Sequence, residues 1–319
     1  MRRRQFNAGL IGAGLAAASG TGPAAAQQKK TLAFVVNSSS NFWTIARRGI
    51  EKAGKEHPEY DMELIIPSQA SAAEQRQILD ELLARQVAGI AISPINPASS
   101  TDALNRVAAQ TVLFTTDSDA PESNRVVYIG TDNVAAGRQA GEQMRKALPG
   151  GGTAMLFVGT MDADNARERV QGIREALKGG NIEILDVRTD GADFARAKSN
   201  AEDTLSRYSN IGLMVGLWSY NTPQIYQAVK QSGRQNVVVV GFDEDALTLR
   251  GIADGTVHST VVQQPYEFGY QSMVDMAKYL HGDKSWIPAD KKVIVPTRVI
   301  DKSNVAEFQA HMKQLLVPG

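Results

Sequence analysis

Ten short apolar runs, rich in β-branched residues, alternate along the chain with amphipathic segments of helical periodicity. Each run is continuously apolar, which is typical of parallel strands buried on both faces of a sheet. The runs cover residues 32–36, 62–66, 89–93, 111–115, 126–129, 153–158, 182–187, 211–217, 237–242 and 259–262. This alternation predicts an α/β protein with doubly wound parallel sheets.

The segments between the runs show helix signals. Ser71 is a suitable N-cap, Glu74 stands three residues later as in a capping box, and an apolar stripe follows at residues 78–83. A helix is predicted to begin at Phe42 and Trp43, and further helices are predicted at residues 133–148, 165–177, 195–207 and 222–231. After residue 263 the pattern predicts a helix near 266–280, a single strand near 293–300 and a tail helix.

Ten strands fit two open sheets better than one. The turn cluster at residues 130–133 is the best boundary, and the second sheet is expected to begin at the glycines of 150–152. An Asp-x-Asp-Ala sequence follows a strand at 117–120 and again at 243–246, which gives weak support for two related halves. The sequence therefore predicts two α/β domains.

The N-terminus has the features of a cleaved signal peptide at residues 1–26. Three arginines at positions 2–4 precede a short, Gly-diluted apolar stretch, and Ala24–Ala26 offers a cleavage site. The arginines are compatible with twin-arginine or general export. The chain has no cysteine, so we expect neither a disulfide nor a lipid anchor, and a product free in the periplasm. The 34 basic and 34 acidic residues give no argument for a nucleic-acid partner.

Ligands of open parallel sheets bind beyond the carboxyl ends of the strands. The segments that follow the predicted strands contain carboxylates, amides, arginines and aromatic residues, without histidine or cysteine. They are residues 37–43, 93–96, 117–119, 160–169, 218–221, 243–245 and 263–264. These groups suit a neutral polyhydroxyl ligand, whose hydroxyls need donors and acceptors and whose C–H faces need aromatic cover. We expect no cofactor and no metal, because the segments lack a Gly-rich phosphate loop and a cluster of metal ligands.

Each of these residues also has a simpler structural explanation. Asp117 and Asp243 could be helix caps. Phe42, Trp43 and Trp218 could be core residues, and 167–169 could be a solvated helix start. Convergence of the segments on one sheet edge nevertheless favours a ligand site.

The sequence resembles the ribose-binding type of periplasmic substrate-binding protein, which serves sugar importers of the ABC class. The resemblance is carried by TLAFVVNSSSNFWTIARRGIEKA, GIAISPINP, LFTTDSDA, YIGTDNVAAGRQAGE, ARERVQGI, VVVVGFDED and TVVQQPYEFGYQ, in that order. It implies two Rossmann-like lobes of the type I periplasmic binding fold, joined by three hinge crossings. The first lobe would comprise residues 31–131 plus 264–293, and the second 132–263 plus 294–319.

The resemblance also implies which residues bind the sugar. Matching the motifs and the segments beside them gives Ser40, Asn41, Phe42, Trp43, Asp117, Ser118, Arg169, Phe194, Trp218, Asn221, Asp243 and Gln263. This chain departs from the ribose-binding pattern at Ser118, where arginine is usual, and at Trp218, where asparagine is usual. A pentose, a hexose or a sugar alcohol therefore remains open as the ligand.

The leading hypothesis is a non-catalytic, monomeric receptor that delivers a small neutral sugar to a membrane permease. A sensor that presents the sugar to a chemoreceptor is compatible with it. An exported sugar-acting enzyme is the alternative, since Asp117 and Asp243 could act as paired carboxylates. A sugar-responsive transcription regulator would need an N-terminal helix-turn-helix, and the signal peptide occupies that position.

Overall fold

The computed structural model describes residues 29–316, which form two six-stranded sheets with flanking helices. The strands are β1 (Lys30–Val35), β2 (Tyr60–Ile65), β3 (Gly89–Ile92), β4 (Val112–Thr116), β5 (Val127–Gly130), β6 (Gly152–Val158), β7 (Ile182–Thr189), β8 (Ile211–Gly216), β9 (Val238–Phe242), β10 (Val257–Val262), β11 (Lys292–Ile294) and β12 (Arg298–Asp301). The helices are α1 (Phe42–Glu56), α2 (Ala72–Ala84), α3 (Pro97–Ala108), α4 (Asn133–Ala147), α5 (Asp164–Leu177), α6 (Phe194–Arg207), α7 (Asn221–Ser232), α8 (Ala246–Asp254), α9 (Pro265–Leu280) and α10 (Val305–Leu316).

The first sheet has the order β11-β5-β4-β3-β1-β2, and all its pairings are parallel. Its two faces bury separate cores. Phe34 and Phe114 pack with α1 and α9 on one face, while Val35 and Ile90 pack with α2 and α3 on the other. Burial on both faces explains why the strands read as continuous apolar runs.

The second sheet has the order β12-β10-β9-β8-β6-β7 and is parallel except for β12, which is antiparallel to β10. Leu156 and Val215 belong to a core with α4 and α5, whereas Phe157 and Met214 belong to the opposite core with α6 and α7. The prediction of two doubly wound α/β lobes is confirmed, and all ten predicted strands are present with shifts of a few residues at their ends.

The chain passes from one lobe to the other three times, between β5 and α4, between β10 and α9, and between β11 and β12. The prediction of a single strand at 293–300 is wrong, because the last crossing lies within this segment. The apolar pattern spans two short strands that belong to different sheets, and Pro296 between them has no N–H for a ladder hydrogen bond. Gln264 Nε2 donates to the oxygen of Pro296 at 2.8 Å. The exact lobe limits given above remain predictions.

Two local features differ from the prediction. The Ser71 hydroxyl accepts from the N–H of Glu74 at 3.2 Å, but the Glu74 carboxylate accepts from the N–H groups of Ser68 and Gln69, at 2.6 Å each, and so stabilises the preceding turn. Helices α3 and α8 were not predicted. Within residues 29–316 no helix has both the length and the apolar character needed to cross a membrane. The predicted signal peptide, residues 1–26, lies outside the described residues.

Candidate ligand-binding site

The carboxyl ends of the parallel strands of both lobes face each other across a polar cleft, here called the cleft cavity. It is lined by Asn37, Ser38, Ser40, Phe42, Trp43 and Asp117 from the first lobe and by Asn165, Arg169, Trp218, Ser219, Tyr220, Asp243 and Gln263 from the second. The lobes are closed on each other, so that the free volume is only about 20 Å³. A ligand larger than a water molecule can therefore enter only when the lobes separate.

Asp117 is the polar centre of the first lobe's wall. It follows β4, and its Oδ2 accepts from Ser93 Oγ at 2.7 Å, from Asn37 Nδ2 at 3.3 Å and from Asn165 Nδ2 at 3.2 Å. Burial raises the pKa of this carboxyl, against the opposing influence of Arg169 and of the hydrogen bonds. The carboxylate is thus held at the lobe interface by donors from both lobes.

Asp243 is its counterpart in the second lobe, directly after β9. Its Oδ1 accepts from Gln263 Nε2 at 3.0 Å, and its backbone oxygen accepts from Thr260 Oγ1 at 2.8 Å. Burial raises the pKa of Asp243 to about 6, although the charge of Arg169 lowers it. The capping explanation fails for this segment at Asp243 and holds two residues later, where Asp245 caps α8 through the N–H of Leu247.

Both aspartates have left-handed backbone conformations, with φ of 59° at Asp117 and 67° at Asp243. Such angles are uncommon outside glycine, and aspartate tolerates them better than most residues because its short side chain bonds locally. Strained conformations persist where the surrounding structure fixes them, which happens often at ligand sites. Here the left-handed conformation occurs at the residue directly after β4 and directly after β9, where each strand ends at the cleft.

Arg169 is the buried cation of the site and is only 1% exposed. Its Nε donates to Asn133 Oδ1 at 3.0 Å, Nη1 donates to the oxygen of Leu217, and the guanidinium lies 4.4 Å from the ring centre of Phe242. Nη2 is buried and has no hydrogen-bond partner among the described residues. The solvated helix start suggested by the sequence applies to Arg167, which is exposed and pairs with Asp164, but not to Arg169.

The aromatic residues form part of the cleft and part of the lobe cores. Trp43 is 2% exposed, its ring lies 5.9 Å from Phe34 and 4.9 Å from Phe42 in edge contacts, and its Nε1 donates to Asn37 Oδ1 at 3.2 Å. Phe42 also packs on Phe268. The pair at the start of α1 is therefore core and cavity wall at the same time.

Eight of the twelve residues predicted to bind the ligand line the cleft cavity. They are Ser40, Phe42, Trp43, Asp117, Arg169, Trp218, Asp243 and Gln263. The other four lie elsewhere in the described structure, because their neighbours hold them in other roles.

Of these four, Ser118 is buried and its hydroxyl accepts a long hydrogen bond, 3.5 Å, from the N–H of Asn165. Asn221 accepts from the N–H of Trp218 at 3.0 Å and donates to Asp190 Oδ2 at 2.8 Å, so it shapes the loop after β8.

The remaining two lie on the outer side of the cleft. Asn41 lines the outer side near Asp245, and its side chain opposes the rise that burial causes in the pKa of that carboxyl. Phe194 is 43% exposed and stacks on Tyr220, with ring centres 4.7 Å apart.

Five further cleft residues lie in the segments predicted at the strand ends but were not named individually as ligand-binding, namely Asn37, Ser38, Asn165, Ser219 and Tyr220. Asn165 matters most, because its Nδ2 donates to Asp117 across the cleft while its Oδ1 accepts from Trp218 Nε1 at 3.2 Å. A signal was available: Asn165 stands one helical turn before Arg169, on the same face of α5.

Replacing Asn165 with alanine is expected to weaken ligand binding about tenfold, because one hydrogen bond between the lobes is lost. The closed state should also become less populated, giving a larger radius of gyration by small-angle X-ray scattering. Asn200→Ala, which removes a bond to the Thr189 oxygen away from the cleft, is the matched control and should change neither quantity. Equal behaviour of the two variants would contradict the assignment.

Two lobes of parallel sheet, connected by three crossings and closing on a polar cleft, define the class of two-lobed binding proteins that work by hinge closure. Solved structures of this class match the chain closely. An ABC transporter solute binding protein from Burkholderia graminis C4D1M in complex with D-arabinose has a TM-score of 0.81 at 27% identity, covering 86% of this chain and 96% of that one. GanP, a glucose-galactose binding protein from Geobacillus stearothermophilus, has a TM-score of 0.81 at 28% identity, covering 87% and 99%.

Sequence similarity gives the same result. Ribose import binding protein RbsB of Escherichia coli (strain K12) is 27% identical over 286 residues, which cover 88% of this chain and 95% of that protein. Residues 32–284 match the family model described as a periplasmic binding protein domain. The chain belongs to this family of periplasmic binding proteins, whose members are exported to the periplasm and are binding proteins rather than enzymes.

Proposed function

We propose that the protein is a periplasmic receptor that binds a small neutral sugar between its two lobes and delivers it to an ABC-type importer. The observation that carries this proposal is a pair of unsatisfied polar atoms in the cleft wall. Arg169 Nη2 is a buried donor and Gln263 Oε1 a buried acceptor, and neither has a partner among the described residues. Buried polar groups of this kind cost free energy unless a ligand satisfies them.

Sugar hydroxyls can satisfy both atoms, because a hydroxyl group can donate one hydrogen bond and accept others. Arg169 can donate to one hydroxyl and Gln263 can accept from another, while the carboxylates of Asp117 and Asp243 accept from further hydroxyls. Trp43 and Phe42 supply the apolar part of the lining of the same cavity. The site therefore combines the two surfaces that a monosaccharide presents.

Closure follows from the distribution of these groups over the lobes. Asp117 belongs to the first lobe, whereas Arg169 and Asp243 belong to the second, so one ligand contacts both lobes only when they are closed. Such a ligand binds the closed state more tightly than the open state and shifts the population towards it. In the closed structure the bond from Asn165 to Asp117 already joins the lobes.

The relatives support the class of ligand without selecting one sugar. Among them are a ribose import binding protein, a complex with D-arabinose and a glucose-galactose binding protein. We propose a pentose, a hexose or a sugar alcohol as the ligand, bound by a monomer that is exported through the twin-arginine or the general route. Presentation of the closed form to a chemoreceptor is a further proposal for the same receptor.

A thermal-shift screen of residues 27–319 against pentoses, hexoses and polyols tests the proposal. A ligand at 100 times its dissociation constant stabilises the folded state by about 2.7 kcal/mol, so one sugar class should raise the melting temperature clearly above the rest. A flat screen, or turnover of a sugar during the assay, would contradict the receptor function.

A further inference from the structure

A second and larger cavity adjoins the cleft cavity on its solvent side. This outer cavity has a volume of about 620 Å³, within the range of about 300–1,000 Å³ found for small-molecule sites. Ser40, Phe42, Ser219 and Tyr220 line both cavities, so the two spaces share a wall. These residues lie between the two spaces, so a ligand group in the cleft and one in the outer cavity would be direct neighbours.

The outer cavity is enclosed by both lobes and by the C-terminal helix. Residues at the start of α1 line one side, and α8 together with the loop after β8 lines the other. Helix α10 packs on α8 and also contacts α1 of the first lobe, which places Met312 and Leu316 over the cavity. Closure of the lobes thus completes this cavity as well as the cleft cavity.

The lining alternates apolar surface with single polar groups. Phe194 and Tyr220 form a stacked platform with planes 22° apart, and Leu247 and Met312 add aliphatic surface. Gln224, together with other amide and hydroxyl side chains, lies between them. A second sugar ring has matching surfaces, since its C–H faces pack on aromatic rings and its hydroxyls bond to amides.

Glu244 supplies an independent indication of a polar ligand group. It lines the outer cavity, is only 8% exposed, and its Oε2 is buried with no hydrogen-bond partner among the described residues. Burial and the neighbouring charge of Asp243 raise the pKa of this carboxyl. The Glu244 carboxyl belongs to the cavity lining, and a carboxyl group can accept a hydrogen bond from a ligand hydroxyl.

We propose that the outer cavity is a second subsite that holds another sugar ring, so that the preferred ligand is a disaccharide whose one ring occupies the cleft. This inference rests on the proposed sugar-receptor function and narrows its substrate class. Glu244 accepts from a hydroxyl of the second ring, and the platform of Phe194 and Tyr220 packs on its C–H face.

The experiment is isothermal titration of residues 27–319 with matched pairs of ligands. D-Xylose, D-glucose and D-galactose are each compared with a disaccharide that contains them, namely xylobiose, cellobiose and lactose, and with their phenyl glycosides. At least one disaccharide should bind about tenfold or more tighter than its monosaccharide. Glu244→Ala should then reduce disaccharide affinity about tenfold, because it removes the acceptor of one hydrogen bond from the second ring, and leave monosaccharide affinity unchanged.

Leu316→Ser gives a variant with little risk to folding, since Leu316 is 39% exposed. It should reduce disaccharide affinity severalfold, whereas Ile66→Ser, at a residue that is 42% exposed and lines neither cavity, should not. Monosaccharides that bind as tightly as the disaccharides would overturn the second subsite and leave the receptor function intact. Phenyl glycosides that bind more tightly than the disaccharides would overturn a sugar ring as the occupant. Failure of these sugars and of every ligand in the thermal-shift screen to bind would overturn the receptor function itself.

Discussion

Replacing Asp243 with alanine is expected to reduce sugar affinity at least about a hundredfold, while the protein still folds. Each hydrogen bond to a charged group contributes about 1.5–3 kcal/mol, and the variant also leaves ligand hydroxyls and the Gln263 amide without a partner. Titration calorimetry with the sugar found in the screen measures the loss, and circular dichroism verifies the fold. Wild-type affinity in this variant would show that Asp243 only ends β9.

Asp243→Asn separates the charge from the shape of this side chain. The pKa of Asp243 is raised to about 6, chiefly by burial, so the folded state holds its proton more tightly than the unfolded state. This carboxyl therefore favours folding at pH values below about 4, and the benefit is lost as the pH rises through about 6. Above that pH the buried charge lowers the free energy of unfolding. Asp243→Asn should raise the melting temperature of the ligand-free protein at pH 7.5 but not at pH 4, and an equal increase at both would contradict this explanation.

Replacing Trp43 with alanine is expected to lower the free energy of unfolding by about 3–5 kcal/mol, as large aromatic deletions in cores do. Trp43 is 2% exposed, touches Phe34 and Phe42 through edge contacts and donates to Asn37, so its removal leaves a cavity under the cleft wall. Urea unfolding of the ligand-free protein measures the effect.

Two further variants make this test specific. Trp43→Phe keeps an aromatic ring at this position. Loss of the indole N–H hydrogen bond should lower the free energy of unfolding by about 1 kcal/mol, and the smaller ring should lower it further. Trp286→Ala, at a half-buried tryptophan that packs on Phe114, should be less damaging than Trp43→Ala. If Trp43→Ala leaves stability unchanged and lowers only sugar affinity, the indole serves the ligand and not the core.

The strands and most helices could be predicted because their signals are local. A continuous apolar run or a stripe at helical spacing depends on neighbouring residues alone, and every predicted run became a strand. The prediction failed at residues 293–300, where two strands of different sheets follow each other. The residues on both sides of Pro296 have the same apolar pattern. The two strands, β11 and β12, differ only in the sheet that each one joins.

The candidate site could be predicted in part for a related reason. Asp117 and Asp243 stand at the ends of predicted strands, and parallel strands bring such residues to one edge. Asn221 and Phe194 also lie near strand ends. However, Asn221 donates a hydrogen bond to the Asp190 carboxylate, and Phe194 stacks on Tyr220 from outside the cleft cavity. These partners are distant in the sequence or depend on side-chain direction, which the strand pattern does not encode.

Two doubly wound lobes, each with a polar edge, follow from the amino-acid sequence alone, because hydrophobic periodicity and strand ends are properties of short segments. Which edges meet depends on the packing of the folded chain. It brought Asn165 to Asp117 across 48 residues, buried Arg169 beside Phe242 and placed a second cavity beside the cleft. These contacts depend on how three crossings orient one lobe against the other, and that orientation is set by packing across the whole chain.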